Sequence, residues 1–102
     1  MRTKNDVLEH VRVRVAQRVM EILPHLRRRL TQKTLARAID TTQAVVSGAA
    51  CGCGTLGTYI AICRVLDIKF SIEIDNDSTG CSLETLDEYI ARLNAGKVEI
   101  TL

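Results

Sequence analysis
Residues 30–47 read LTQKTLARAIDTTQAVVS, two short helical stretches with a break between them. Thr31 can offer its hydroxyl to the first free amides of a helix over QKTLARAI, and Thr41 or Thr42 can do the same for QAVVSGAA. Leu35 and Ile39 share the inner face of the first helix, and Val46 lies on that of the second. Ala36 is small where the two helices would cross. Asp40 falls in the break, where the chain often needs a left-handed residue and Asp tolerates that conformation.

Upstream, Val7, Leu8, Val11, Val15, Val19, Ile22, Leu23 and Leu26 recur at steps of three and four. That spacing predicts an amphipathic helix from about Asn5, which can cap it, to about Leu23. Pro24 has no amide hydrogen to donate, so it kinks or restarts the helix. The basic cluster Arg27, Arg28 and Arg29 follows. Downstream, the loop SGAACGCGTLG (47–57) leads into a helix bearing Leu56, Tyr59, Ile60, Cys63, Val65 and Leu66. The period then changes. Phe70, Ile72 and Ile74 alternate with polar residues in KFSIEI, which predicts a half-buried strand. DNDSTG is a polar turn or loop. Ser82 can cap LETLDEYIARLN, with the apolar stripe Leu83, Leu86, Tyr89, Ile90 and Leu93, and Gly96 closes that helix. KVEITL reads as a last short strand. The expected fold class is therefore mostly α, about five helices with a small C-terminal β component. Residues 1–68 hold the long N-terminal helix and the two short ones, and 69–102 form a strand-helix-strand extension of the same compact unit.

At 102 residues the chain suits one domain, and with 46% apolar but only 3% aromatic residues its core must be aliphatic. No apolar run is long enough to span a bilayer, and MRTKNDVLEHVRVRV lacks the uninterrupted apolar segment of a secretory signal. A cytoplasmic location without a membrane partner is expected, where Cys51, Cys53, Cys63 and Cys81 are reduced thiols. The net charge of +2 hides an asymmetry: residues 1–37 carry ten basic and three acidic side chains, residues 38–102 four basic and nine acidic. A basic half joined to an acidic half suggests one face for a polyanion and another for a different partner, against the plainer account of unevenly solvated helix faces.

The loop at 47–57 fits no familiar ligand pattern. Cys51-x-Cys53 with a lone Cys63 and a distant Cys81 is not a common zinc spacing. A redox pair is usually Cys-x-x-Cys, and the G-x-x-x-x-G-K-[ST] phosphate loop is absent. Cys63 lies on an apolar helix stripe and reads as a small core residue. A structural turn is favoured, with Gly52 and Gly54 free to take positive φ; a metal or thiol sensor is the alternative. No metal site and no cofactor are assigned. His10 and His25 stand alone, without a triad-like neighbour, so nothing points to an enzyme.

Two short helices joined by a three- to four-residue turn are the core of a helix-turn-helix. LTQKTLARAIDTTQAVVS resembles the helix-turn-helix of the lambda-repressor-like (Xre, Cro/C1-type) regulators at Thr31, Gln32, Leu35, Ala36, Ile39, Thr42, Gln43, Val46 and Ser47. TLGTYIAICRVLDI is similar to that family's next helix, and KFSIEI to the strand added by some dimeric members, so the likeness covers about residues 26–74. Asp40 stands in place of the usual turn glycine, and GAAC replaces the usual basic or aromatic residues after Ser47. The resemblance implies sequence-specific binding of double-stranded DNA. Thr42, Gln43, Ala44 and Ser47 would read bases, Gln43 by bidentate bonding to adenine and Ala44 by touching a thymine methyl. Arg28, Arg29, Gln32, Lys33 and Arg37 would hold phosphates. A homodimer on a palindromic operator is expected, most simply a repressor of phage, plasmid or toxin–antitoxin type. Phe70, Ile72, Ile74, Leu86, Ile90 and Leu93 are the expected subunit contact. The rival readings are an antitoxin whose main partner is a toxin protein, and a protein-interaction module that has lost DNA binding.

Overall fold
In the computed structural model, which describes residues 4–74 and 79–102, helix α1 spans Lys4–Ile22. It begins one residue before Asn5, which therefore lies inside its first turn. Val11, Val15, Val19 and Ile22 form its inward stripe, each no more than 1% exposed. Leu8 shares that face but is 37% exposed, because residues 6–10 all lie exposed or half-buried and the covered part of the stripe begins at Val11. Burying one such aliphatic side chain contributes roughly 1.5–3 kcal/mol, so this stripe fixes where the other elements settle.

Pro24 ends α1. The chain tightens into a 3₁₀ turn over Leu23–Leu26, and Arg27–Arg29 form a further turn closed by the amides of Arg29 and Leu30 on the Leu26 carbonyl. Helices α2 (Gln32–Ala38), α3 (Gln43–Ala50) and α4 (Leu56–Leu66) follow. α1 packs chiefly on α4, whose Tyr59, Ile62, Cys63 and Leu66 are fully buried, and it also touches α3, α5 and the second strand. α2 and α3 pack on each other through Leu35, Ala36, Val46 and Ala49, and both rest on α4.

Strands β1 (Phe70–Ile74) and β2 (Thr79–Leu83) form an antiparallel pair, with Phe70 opposite Leu83 and Ile72 opposite Cys81. Helix α5 (Leu86–Asn94) completes the described elements. The molecule is thus mostly helical, with five α-helices and one two-stranded sheet among the described residues.

Two features of the C-terminal third differ from the expected strand-helix-strand order. Ser82 lies in β2 opposite Ser71 and caps nothing. The helix starts three residues later than read, at Leu86, under a capping box in which Thr85 accepts from the Glu88 amide and Glu88 accepts from the Thr85 amide. KVEITL is not a strand, since no second strand lies beside it among the described residues. Instead the Thr101 amide reaches the Val65 carbonyl at 3.0 Å and the Glu99 amide reaches Asp67 Oδ2 at 3.2 Å. Val98 and Ile100 lie half-buried on the core.

The helices share their end chemistry. Thr31, Thr42, Thr55 and Thr85 each cap one helix, accepting from the amide three residues on. At the other end the chain turns left-handed at Asp40, Gly52, Asp67 and Gly96. Each closure carries the same pair of bonds: Thr41 to Ala36 and Asp40 to Arg37 after α2, and Cys53 to Gly48 and Gly52 to Ala49 after α3. Ile68 to Cys63 and Asp67 to Arg64 follow α4, and Lys97 to Arg92 and Gly96 to Leu93 follow α5. This is the Schellman closure, four times over.

Candidate nucleic-acid interface
The turn between α2 and α3 sets the site. With Asp40 left-handed (φ 56°), the chain reverses within four residues and Thr42 caps α3, its Oγ1 accepting from the Val45 amide at 3.3 Å. That bond uses a lone pair of Thr42, so its hydroxyl proton stays available to an outside acceptor. Gln43 and Ala44 are exposed, while Ser47, one turn further on, is half-buried. Val46 and Ala49 face the core, which leaves Val45 outward at 40% exposure. Val45 was not among the expected contact residues.

The expected phosphate-binding residues Arg28, Arg29, Gln32, Lys33 and Arg37 are all exposed, as is Arg27. Three other arginines are ion-paired, whereas Arg14 and Arg64 have no ion pair among the described residues. Arg12 pairs with Glu9, Arg18 with Glu21, and Arg92 with Glu84 and Asp67. Among the described residues, none of Arg27, Arg28, Arg29, Lys33 and Arg37 has an ion-pair partner. Lys33 and Arg37 lie one turn apart on one face of α2. Gln32 and Arg27 line a cleft of about 260 Å³ with Met20, Pro24, Val46 and Ala50, which places the start of α2 beside the inner side of α3. The Arg29 charge also acts weakly on Tyr89, at the junction of α4 and α5.

The loop after α3 is held from two sides. The Tyr59 hydroxyl donates to the Ala49 carbonyl at 2.8 Å and accepts from the Gly54 amide at 3.1 Å. Arg12 Nη1 donates to the carbonyls of Gly52 (3.3 Å) and Gly54 (3.4 Å). The glutamate beside Arg12 raises its pKa, mainly through their hydrogen bonds, so the clamp stays charged. Gly52 takes positive φ as expected, but Gly54 does not; a Cβ there would stand 2.9 Å from that of Ala49 and 3.0 Å from the Tyr59 ring. Gly54 is thus required by close approach, not by conformation.

Cys63 is a buried core residue, and burial, with the Cys81 thiol nearby, pushes its pKa up to about 12. Of the expected subunit-contact residues, Phe70, Ile72, Leu86 and Leu93 pack partly on the chain's own core. Ile90 is half-buried outside that cluster, and the side chain of Ile74 lies outside the described residues.

Neither a protein-family model, nor a curated protein, nor a solved structure matches this chain. The functional assignment therefore rests on the chemistry of these side chains. Among the described residues no helix is long and apolar enough to cross a membrane.

Proposed function
We propose that the protein binds double-stranded DNA through α2 and α3 as a lambda-repressor-like helix-turn-helix, acting as a homodimeric transcriptional regulator in the cytoplasm. One observation carries the reading. Five cations without ion-pair partners, Arg27, Arg28, Arg29, Lys33 and Arg37, fall within eleven residues, beside an α3 whose leading residues Thr42, Gln43 and Ala44 are exposed and bear no carboxylate. Cations left unpaired on a folded surface hold a phosphate backbone without first losing a partner. In this reading α3 enters the major groove, Gln43 and Ala44 meet base edges, and Lys33, Arg37 and Gln32 fix the register on phosphates.

Selection of bound duplexes from a random pool tests it. The expected outcome is a two-fold symmetric site whose affinity falls steeply with salt. Absence of binding at 50 mM salt would overturn the reading. The exposed carboxylates Glu73, Asp87 and Glu99 favour a second reading, in which the acidic half holds a basic protein such as a toxin. Failure to bind DNA together with tight capture of a basic protein partner would favour it.

A further inference from the structure
The DNA-binding reading gives no role to the loop after α3, which carries two free thiols beside a thioether. Cys51 and Cys53 are exposed free thiols on either side of Gly52. Their Cα atoms are two peptide steps apart, so at most about 7.6 Å separates them. The Sδ of Met20, on α1, lies 3.3 Å from the point where a Cβ of Gly52 would stand, so the thioether covers the residue between the two thiols. Met20 is itself 40% exposed, an uncommon place for a large apolar side chain. The Arg12 guanidinium, anchored by Glu9 and bonded to the loop carbonyls, is close enough to Cys53 for their charges to interact. Thiolate and thioether sulfur select soft ions such as Cu(I). Among the described residues no three of His, Cys, Asp and Glu gather as a metal-binding group, so the four-donor set that a structural zinc takes is lacking there.

We propose that Cys51 and Cys53, with Met20 as a third donor, form a binding site for Cu(I). No oxidation state changes on binding. Two S–H bonds give way to two S–Cu bonds, and two protons leave to solvent. Two thiolates around one monovalent ion carry a net charge of −1, which the neighbouring Arg12 offsets. The bound ion would pin the Schellman closure of α3 at the end opposite Gln43.

The full chain, reduced and kept free of oxygen, is titrated with Cu(I) against bicinchoninate, whose coloured copper complex reports the ion the protein has not taken. Wild type should withdraw one equivalent, with affinity rising with pH as two protons leave. Cys51→Ser and Cys53→Ser should each abolish this. Met20→Leu should weaken it severalfold and Arg12→Gln by roughly tenfold, as loss of an outer partner does. A Cys63→Ser, Cys81→Ser double variant should bind as wild type does. Circular dichroism checks that each exposed-site variant keeps its helices. No withdrawal by wild type, or an equal equivalent bound by a Cys51→Ser, Cys53→Ser double variant, overturns the proposal. No DNA enters the measurement, so neither result bears on the DNA-binding proposal.

Discussion
Gln43 stands at the start of α3, exposed and without a hydrogen-bond partner among the described residues, so contact with a base would cost it no existing bond. A bidentate amide on adenine is worth about 1–3 kcal/mol of discrimination. On the proposed DNA reading, Gln43→Ala should weaken the selected site by that amount, relax one base pair in each half-site, and leave random DNA unaffected. Lys33→Ala should act differently in kind. It should weaken every sequence alike and lower the slope of log affinity against log salt by about one unit per subunit. Competition anisotropy with selected and random duplexes separates the two. If Gln43→Ala weakened both duplexes equally, Gln43 would have no base-reading role. Arg29 is a poorer probe than Lys33, because its charge also acts on Tyr89. At this scale the sequence was informative where a cap fixed the register. Thr42 capping α3 put Gln43 and Ala44 at its exposed start. The sequence was silent on Arg12, whose two bonds to loop carbonyls span 40 and 42 residues and leave no local pattern.

Helices α2 to α5 are interchangeable in how they end, and the ends differ in cost. A left-handed residue with a side chain is disfavoured by roughly 1–2 kcal/mol, and glycine removes that cost. Asp40 is exposed and has no side-chain bond among the described residues, so Asp40→Gly should stabilise the fold by about 1 kcal/mol. Asp67 has the same backbone conformation, but its carboxylate accepts from Arg92 and from the Glu99 amide, each at 3.2 Å. Asp67→Gly should therefore destabilise. Urea titration of both variants should give shifts of opposite sign, and two shifts of the same sign would contradict this account. The caps and closures of α2 and α3 were legible because each rests on residues within one turn of itself, and the strand at Phe70–Ile74 because its apolar residues alternate; the Thr55 cap and Asp67 closure of α4 were not read. β2 was not legible either. TGCSL has little strand propensity, and Ser82 mimics a helix cap; its state is decided by pairing with β1 and by packing on α1. KVEITL errs the other way, since alternation makes a strand only where a second strand lies alongside.

At the scale of the molecule, self-association and acid sensitivity can be measured together. Most of the apolar side chains first assigned to a subunit contact are partly spent on the chain's own core. Both outer edges of the hairpin lack a strand neighbour among the described residues, and Ile90 and the 67%-exposed Leu102 are free for a second copy. On the dimer proposal, sedimentation at micromolar concentration should give two chains per particle, and a monomer would remove that proposal. Arg92 ties β2, α4 and α5: its guanidinium forks onto Glu84 at 2.6 and 3.0 Å and also reaches Asp67. The Arg92 bonds hold Glu84 below the usual carboxylate range. Burial pushes Asp67 up, but the Glu99 amide and Arg92 outweigh it and hold it low too. Groups lowered on folding stabilise above their unfolded values, near about 4, and that contribution is lost as pH falls through the folded values. Thermal stability should thus be flat from pH 7 to about 5 and drop below that. Arg92→Met should be less stable at pH 7, because Glu84 is left buried without a cation and with only the Lys69 amide bonded to it, and should show a shallower acid decline. A last consequence lies in α1, whose valine stripe is covered by residues 59–66 and whose flank meets 79–83. During synthesis α1 leaves the ribosome before residues 59–83, and contacts so distant in sequence cannot form until their partners follow. The valine face is therefore bare while roughly fifty further residues are made, an opening for chaperones and proteases that closes late. Nascent chains stalled with residue 50 just outside the exit tunnel should be cleaved readily within α1, and chains stalled with residue 90 outside should resist.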